Sequence, residues 1–160
     1  MNHNYIVDIL ARLQQGIPEH VEEVMRCDVQ DSNIINPPET FEVNIALHPD
    51  KNNYLEGAGD YDGFGEYNKA PPVNQIERAL TLDLFKRGKN MIAALNVAGK
   101  IQAWIETDEE LHSMVDYIRY EGSVPNSADG QKMQFTSIAM VIVLGYSTER
   151  GAPQRRIHSK

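Results

Sequence analysis

Three acidic residues, Asp60, Asp62 and Glu66, lie in a glycine-rich segment and carry the carboxylate oxygens that Ca²⁺ prefers. A calcium loop of the EF-hand type that began at Asp60 would need its glycine later and a glutamate at the twelfth position, where this chain has Pro71. Glycines in this segment neither follow a strand closely nor open a helix, so a nucleotide-binding loop is not indicated. We expect a solvated acidic loop and predict no metal or cofactor site.

Candidate nucleophiles lack the neighbours that nucleophilic catalysis requires. Cys27 has only Arg26 as a basic neighbour, and a catalytic thiol needs a positioned base and an oxyanion site. The serines Ser123, Ser127 and Ser137 lie in no nucleophile-elbow glycine pattern. No two of the five histidines have the helical spacing of metal ligands; these are His3, His20, His48, His112 and His158. We therefore predict no catalytic residue and no enzyme.

Composition favours one globular domain. The 160 residues, 41% hydrophobic and 24% charged, suit a single packed core. No apolar run reaches membrane-helix length, no secretion signal is expected at the start, and one cysteine excludes an internal disulfide. The net charge is −8, but the last thirteen residues carry +3, which leaves −11 for the body. Such a body should repel nucleic-acid phosphates, as in a channel through which DNA passes without binding.

Apolar periodicity in the first half predicts a helix over residues 4–15, which Gly16 and Pro18 should end. Residues 19–27 could form either a helix or a strand. Strict alternation over residues 40–48 predicts a strand with one buried face. The segment 49–72 is predicted to be a long loop, and a loop of this length is usually functional, bound to a partner, or disordered. Its aromatic residues Tyr61 and Phe64 could contact a partner, or could fold back over the chain's own sheet.

The second half is predicted to contain a strand over 75–86, a helix over about 91–105 and a last strand over 134–146. Both faces of this last strand are apolar, which indicates a central position or a neighbouring subunit. Residues 107–121 could be a helix with a Thr107–Glu110 capping box or, from residue 114, a strand. Residues 122–132 have the composition of a hairpin loop. The tail after residue 147 is expected to be mobile in a free monomer unless something holds it.

These elements define an α+β domain over residues 1–147. We expect a mainly antiparallel sheet with the N-terminal helix and a crossover helix packed on it, a long inserted loop at about 49–73, and an extended basic tail over 148–160. Arg155 and Arg156 in this tail could reach an acidic neighbour. The acidic body suits a protein that must stay soluble or that lines a channel for DNA, and the doubly apolar last strand suits a central position or burial by a neighbouring subunit.

The order of these elements resembles that of the tail-terminator proteins of long-tailed bacteriophages. The resemblance rests on the strand Arg78–Phe85 followed by a helix, and on the closing strand Ser137–Tyr146. It covers most of the chain and lies in pattern and order rather than in a motif. The segment 53–72 is longer and more aromatic than its usual counterpart in the family.

The resemblance implies a structural virion protein of the tail or neck, assembled in the host cytoplasm. It would form a homohexameric ring that caps the tail tube, stops its polymerisation and joins the tail to a neck or head-completion protein, with DNA passing through the lumen. Three alternatives remain open at this point: another neck or connector protein, a small monomeric ligand-binding or regulatory domain, and a hydrolase that uses the acidic loop with a divalent ion.

Overall fold

A computed structural model describes residues 5–29, 38–55, 73–128, 135–149 and 151–156. Three helices and six strands occur in these ranges. In chain order they are α1 (Tyr5–His20), β1 (Val24–Val29), β2 (Phe41–Leu55), β3 (Val73–Arg87), α2 (Met91–Thr107), α3 (Glu109–Ser113), β4 (Tyr117–Ala128), β5 (Phe135–Glu149) and β6 (Ala152–Arg156).

All six strands form one sheet with the order β1-β2-β3-β5-β4, and β6 pairs with β5 beyond the start of β4. Only β1 and β2 pair in parallel, so the predicted mainly antiparallel α+β fold is confirmed. Because β3 and β4 both run antiparallel to β5, they run parallel to each other, and α2 connects them across the sheet. The predicted crossover helix and the central position of the last strand are both confirmed.

One face of the sheet packs against the helices. Alternate residues of the strands, Leu82 and Met140 among them, form a single core cluster with helix residues such as Ile9 and Ile101. Helix α1 crosses this face from β5, where the rings of Tyr5 and Tyr146 lie 5.4 Å apart, to β1. The helical layer therefore covers the inner face of the sheet.

Helix α1 continues to His20, so the prediction that Gly16 and Pro18 end it was wrong. Gly16 has a tertiary role: a Cβ built on it would lie 2.2 Å from Cζ2 of Trp104 on α2. The Trp104 ring is also stacked on His20 and covered by Arg12, each at 5.4 Å. This close contact and the buried Ile17 hold the last turn of α1 despite residues that break isolated helices.

Arg12 also connects α1 to α3. Its guanidinium donates two hydrogen bonds to Asp108, at 3.0 and 2.8 Å, and lies 3.2 Å from Glu110. Asp108 is the N-cap of α3 and accepts a hydrogen bond of 2.9 Å from the backbone N–H of Leu111. One carboxylate thus serves both the helix cap and the contact between helices.

Strands extend into two proline-containing segments that were predicted to be loops. Strand β2 extends to Leu55, so the part of the predicted 49–73 loop up to that residue is wrong; Pro49 lies in a register shift between Leu47 and Asp50, where no regular ladder bond is required. Strand β4 likewise occupies most of the predicted hairpin loop. It tolerates Pro125 because it lies at the edge of the sheet.

The two segments left open between helix and strand are now assigned. Residues 19–27 contain the end of α1 and the start of β1. Residues 107–121 contain the short helix α3 and then β4. The cap of α3 is Asp108, whereas the Thr107 hydroxyl donates to the carbonyl oxygen of Ala103, so the predicted capping residue was wrong by one position.

The C-terminal segment differs from the mobile tail that composition predicts. Strand β5 continues to Glu149, a turn with Gly151 at φ 82° follows, and β6 pairs Arg156 with Thr148 and also contacts α1. Positive φ favours glycine at this turn. Residues 152–156 are therefore held by the chain's own sheet.

Candidate assembly surface

The sheet has a second face that does not belong to the helix-packed core. We call it the outer sheet face and define it by Ala79, Thr81, Asp83 and Phe85 of β3, Ser137, Ala139, Val141 and Val143 of β5, and Arg119 and Val124 of β4. None of these residues is in the core cluster or packs against it. The molecule is thus two-layered in its described part, with helices on one side of the sheet only.

An apolar strip runs along the centre of the outer sheet face. Val143 is buried, Val141 and Ala139 are half-buried, and Val124 on the edge strand is 65% exposed. Register places Val143 beside Ala79 and Val124 beside Ala139, so the apolar side chains are contiguous across neighbouring strands. The strip is contiguous but mostly half-buried, and its exposed part is Val124 on the edge strand, where a partner could extend the apolar contact.

Asp83 lies in this apolar surrounding, paired in register with Ala139 on one side and Asn44 on the other. Burial raises the pKa of its carboxyl above the ordinary value because the charged form is desolvated. Among the residues that the structure describes, no cation pairs with it. The carboxylate therefore costs free energy where it stands in the free subunit.

One end of the outer sheet face is polar. A row across four strands joins Lys51, Glu77, Gly145 and Tyr117. The Tyr117 ring lies against Gly145, where a Cβ would approach ring carbon Cε1 to 2.1 Å, and its hydroxyl donates to Glu77. Burial and the Glu77 carboxylate raise the pKa of Tyr117. A partly open groove of about 360 Å³ lies over this row.

The described residues offer little for catalysis. Cys27 is buried, and desolvation raises the pKa of its thiol to about 12, so the thiolate is not available at neutral pH. His48 is hydrogen-bonded to the Thr81 hydroxyl at 2.6 Å, and His112 to the Ile105 carbonyl oxygen at 2.9 Å. In the part of the chain that the structure describes, no three His, Cys, Asp or Glu side chains converge to hold a metal ion.

The predicted interface residues fall in different places. Tyr61 and Phe64, like the acidic residues Asp60, Asp62 and Glu66, lie outside the described residues. Arg155 and Arg156 are adjacent residues of β6, at the end of the sheet where β6 pairs with β5. The structure thus places the two arginines on a strand of the sheet.

Sequence reasoning missed the outer sheet face as a surface. Val124 was assigned to a loop, although it is an apolar residue in a segment otherwise rich in polar and small residues. Asp83 lies within the strand predicted over residues 75–86 and was not singled out. The available signal was the second apolar face of β5, which sequence reasoning had noted but could not pair with β4.

No protein-family model matches the chain, and no curated protein matches it either. Among the helices described, none is both long and apolar enough to span a membrane.

Proposed function

We propose that this chain is a structural assembly subunit of the tail-terminator type. It would form a ring, expected to be hexameric, that caps a phage tail tube, stops tube polymerisation and joins the tail to the neck. The observation that carries this proposal is the outer sheet face, with its contiguous apolar strip and with the Asp83 carboxylate, which has no cationic partner among the described residues. A non-catalytic role follows from the same surface, which offers contact area rather than reacting groups.

Contact with a neighbouring subunit would remove the exposed part of the apolar strip, chiefly Val124, from water. Burial is worth about 25 cal/mol per Å² of apolar surface, and Val124, being 65% exposed, has most of its side chain left to bury. A basic group of the neighbour would at the same time stabilise Asp83. A heterologous contact of this kind generates a ring when the rotation closes.

The charge distribution supports a role in which DNA passes the protein without binding to it. The body of the chain carries −11, which suits a lumen through which DNA slides. The basic residues concentrate in the C-terminal segment, where Arg155 and Arg156 would contact an acidic neighbour. Tyr61 and Phe64 are proposed as further contacts with the neighbouring subunit, the tube or the neck.

Another neck or connector protein would share these features and differ only in its neighbours. The groove over Glu77 and Tyr117 favours a second candidate, a monomeric ligand-binding domain, since its volume of about 360 Å³ is within the range of small-molecule sites. Its lining combines apolar surface with the polar side chains of Lys51, Gln75, Glu77 and Asp116. A monomeric mass together with a bound small polar ligand would favour this alternative.

The test is the mass of the purified protein by light scattering, and its appearance by electron microscopy, alone and with tail-tube subunits. Val124→Lys should abolish ring formation without loss of thermal stability. Met25→Lys is the matched control, because Met25 is 66% exposed on β1 at the far edge of the sheet. A monomer that does not bind tubes, or a ring that Val124→Lys leaves intact, would overturn the assembly role of this face.

The tail is tested separately. Charge reversal of both Arg155 and Arg156 to Glu should weaken assembly while circular dichroism shows an unchanged fold. Unchanged assembly would remove the two arginines from the proposal without affecting the outer sheet face.

A further inference from the structure

Helix α2 exposes an apolar stripe on the side away from the sheet. Ile92 is 77% exposed and Leu95 49% exposed, and Gly99 and Ala103 are exposed one and two turns further on. At about 100° per residue these four positions fall within about 80° of the helix circumference. The buried residues of α2 lie on the opposite side: Ala94, Val97, Ala98, Ile101, Trp104 and Ile105.

Helix α2 is therefore apolar on both sides. Its seventeen residues include only two charged side chains, Lys100 and Glu106. A surface helix in a globular protein normally has one apolar stripe, and a helix that is apolar all round is typically buried on all sides. Within the described part of the chain nothing lies over Gly99, since a Cβ built there would meet no atom within 4 Å.

We propose that the exposed stripe of α2 packs against the same stripe of a second copy of this chain, with the two helices antiparallel and crossing at Gly99. The two halves of the stripe have side chains of complementary size. Large side chains occupy its N-terminal half and small ones its C-terminal half, so an antiparallel pair places Leu95 of each copy over Ala103 of the other. Gly99 allows the two helix axes to approach closely at the crossing point.

The charges at the two ends of the stripe are also complementary. Lys89 immediately precedes the N-cap Asn90, and Glu106 lies in the last turn of α2. In an antiparallel pair with Gly99 at the centre, Lys89 lies at the same end of the contact as Glu106 of the other copy. A parallel pair would instead place lysine beside lysine and leave space around the small residues.

The proposed contact is isologous and involves two copies. It does not depend on the proposed ring, because α2 faces away from the sheet and the outer sheet face lies on the other side of the molecule. Substitutions in the stripe can therefore be separated from substitutions at Val124.

The orientation can be tested by cysteine cross-linking of the full chain under mild oxidation. Gly99→Cys should form a covalent dimer, because position 99 lies beside its own copy at the crossing point. Ile92→Cys should not, since its two copies would be about 21 Å apart along the axis in an antiparallel pair. The native Cys27 is buried and will not interfere. Cross-linking at position 92 without cross-linking at position 99 would overturn the antiparallel arrangement.

Sedimentation equilibrium tests the contact energetically. Gly99→Leu adds apolar surface in open space and should still weaken dimerisation at least tenfold, because the helices could no longer approach. A general hydrophobic association would be strengthened instead, and that result would overturn the proposal. Leu95→Glu should dissociate the dimer, whereas Val7→Glu on α1, where Val7 is 54% exposed, is the matched control and should not.

Charge exchange completes the test. Lys89→Glu and Glu106→Lys should each weaken the dimer, and the double variant should restore it, because the pair is re-formed with reversed sign. If the loss of dimerisation free energy in the double variant equals the sum of the losses in the two single variants, the pairing of these two residues is refuted.

Discussion

Substitution of Gly16 by alanine should destabilise the protein, although alanine is the better helix former. Replacing a glycine by alanine in a helix interior normally raises the free energy of unfolding by about 0.5–1 kcal/mol. Here the new Cβ would lie 2.2 Å from Cζ2 and 2.4 Å from Cη2 of Trp104. The indole cannot easily move away, because it is packed between Arg12 and His20.

Overpacking of a core typically costs about 1–3 kcal/mol. After subtraction of the helix gain, we expect Gly16→Ala to lower the free energy of unfolding by about 1–2 kcal/mol. At about 2–4 °C per kcal/mol for a chain of this size, Tm should fall by about 2–8 °C. Thermal unfolding followed by circular dichroism at low protein concentration would measure this change.

Gly99→Ala is the matched control, since Gly99 is also in a helix but its Cβ position is open. This variant should gain stability by about 0.5–1 kcal/mol. Trp104→Phe removes the two indole carbons that approach Gly16 most closely, so Gly16→Ala should cost less in that background. If Gly16→Ala raises Tm as Gly99→Ala does, the close packing of α1 against Trp104 is refuted.

Two further predictions concern carboxylates with opposite pKa shifts. The hydrogen bonds from Arg12 lower the pKa of Asp108, so its contribution to stability should be complete above the unfolded value and lost as the pH falls through the folded one. Asp108→Ala should cost about 2 kcal/mol at neutral pH, through the lost cap and charged hydrogen bonds, and denaturant titrations should show this difference shrinking in acid. Burial raises the pKa of Asp83, so the wild-type protein should lose stability as the pH rises from the unfolded value through the folded one. Asp83→Asn should therefore gain about 1 kcal/mol at neutral pH, whereas Asp50→Asn, which removes the ion pair with Arg78 at 3.2 Å, should not; an equal gain in both variants would show that the burial of Asp83 is not the cause.

Sequence periodicity predicted the elements whose pattern arises from one buried face. Strands β3 and β5 alternate because their inner residues, such as Leu82 and Met140, pack against the helices. Only their ends were missed. Strand β5 was also predicted to be central, since a strand with two apolar faces is rarely at an edge.

Segments governed by tertiary or edge effects could not be predicted in the same way. Gly16 and Pro18 suggest a helix end locally, and only the position of Trp104 explains why α1 continues. Pro49 and Pro125 suggest loops, yet a register shift and an edge position remove the need for their missing N–H groups. Composition carries no information on which strand will be an edge, so β4 was predicted as a loop over most of its length.

The two candidate surfaces, the outer sheet face and the exposed stripe of α2, could not be predicted from the sequence for a related reason. An apolar residue in a sequence indicates burial, but not which layer or which chain buries it. Ile92 and Leu95 fell within the helix predicted over about 91–105, and only the structure separates them from Ile101 and Trp104 on the opposite side. Within the part of the chain that the structure describes, two surfaces remain uncovered: no second layer packs on the outer sheet face, and none packs on the exposed stripe of α2. A heterologous contact through the first and an isologous contact through the second obey different symmetries, so cross-linking at position 99 and ring formation sensitive to Val124 should be separable in the same preparation.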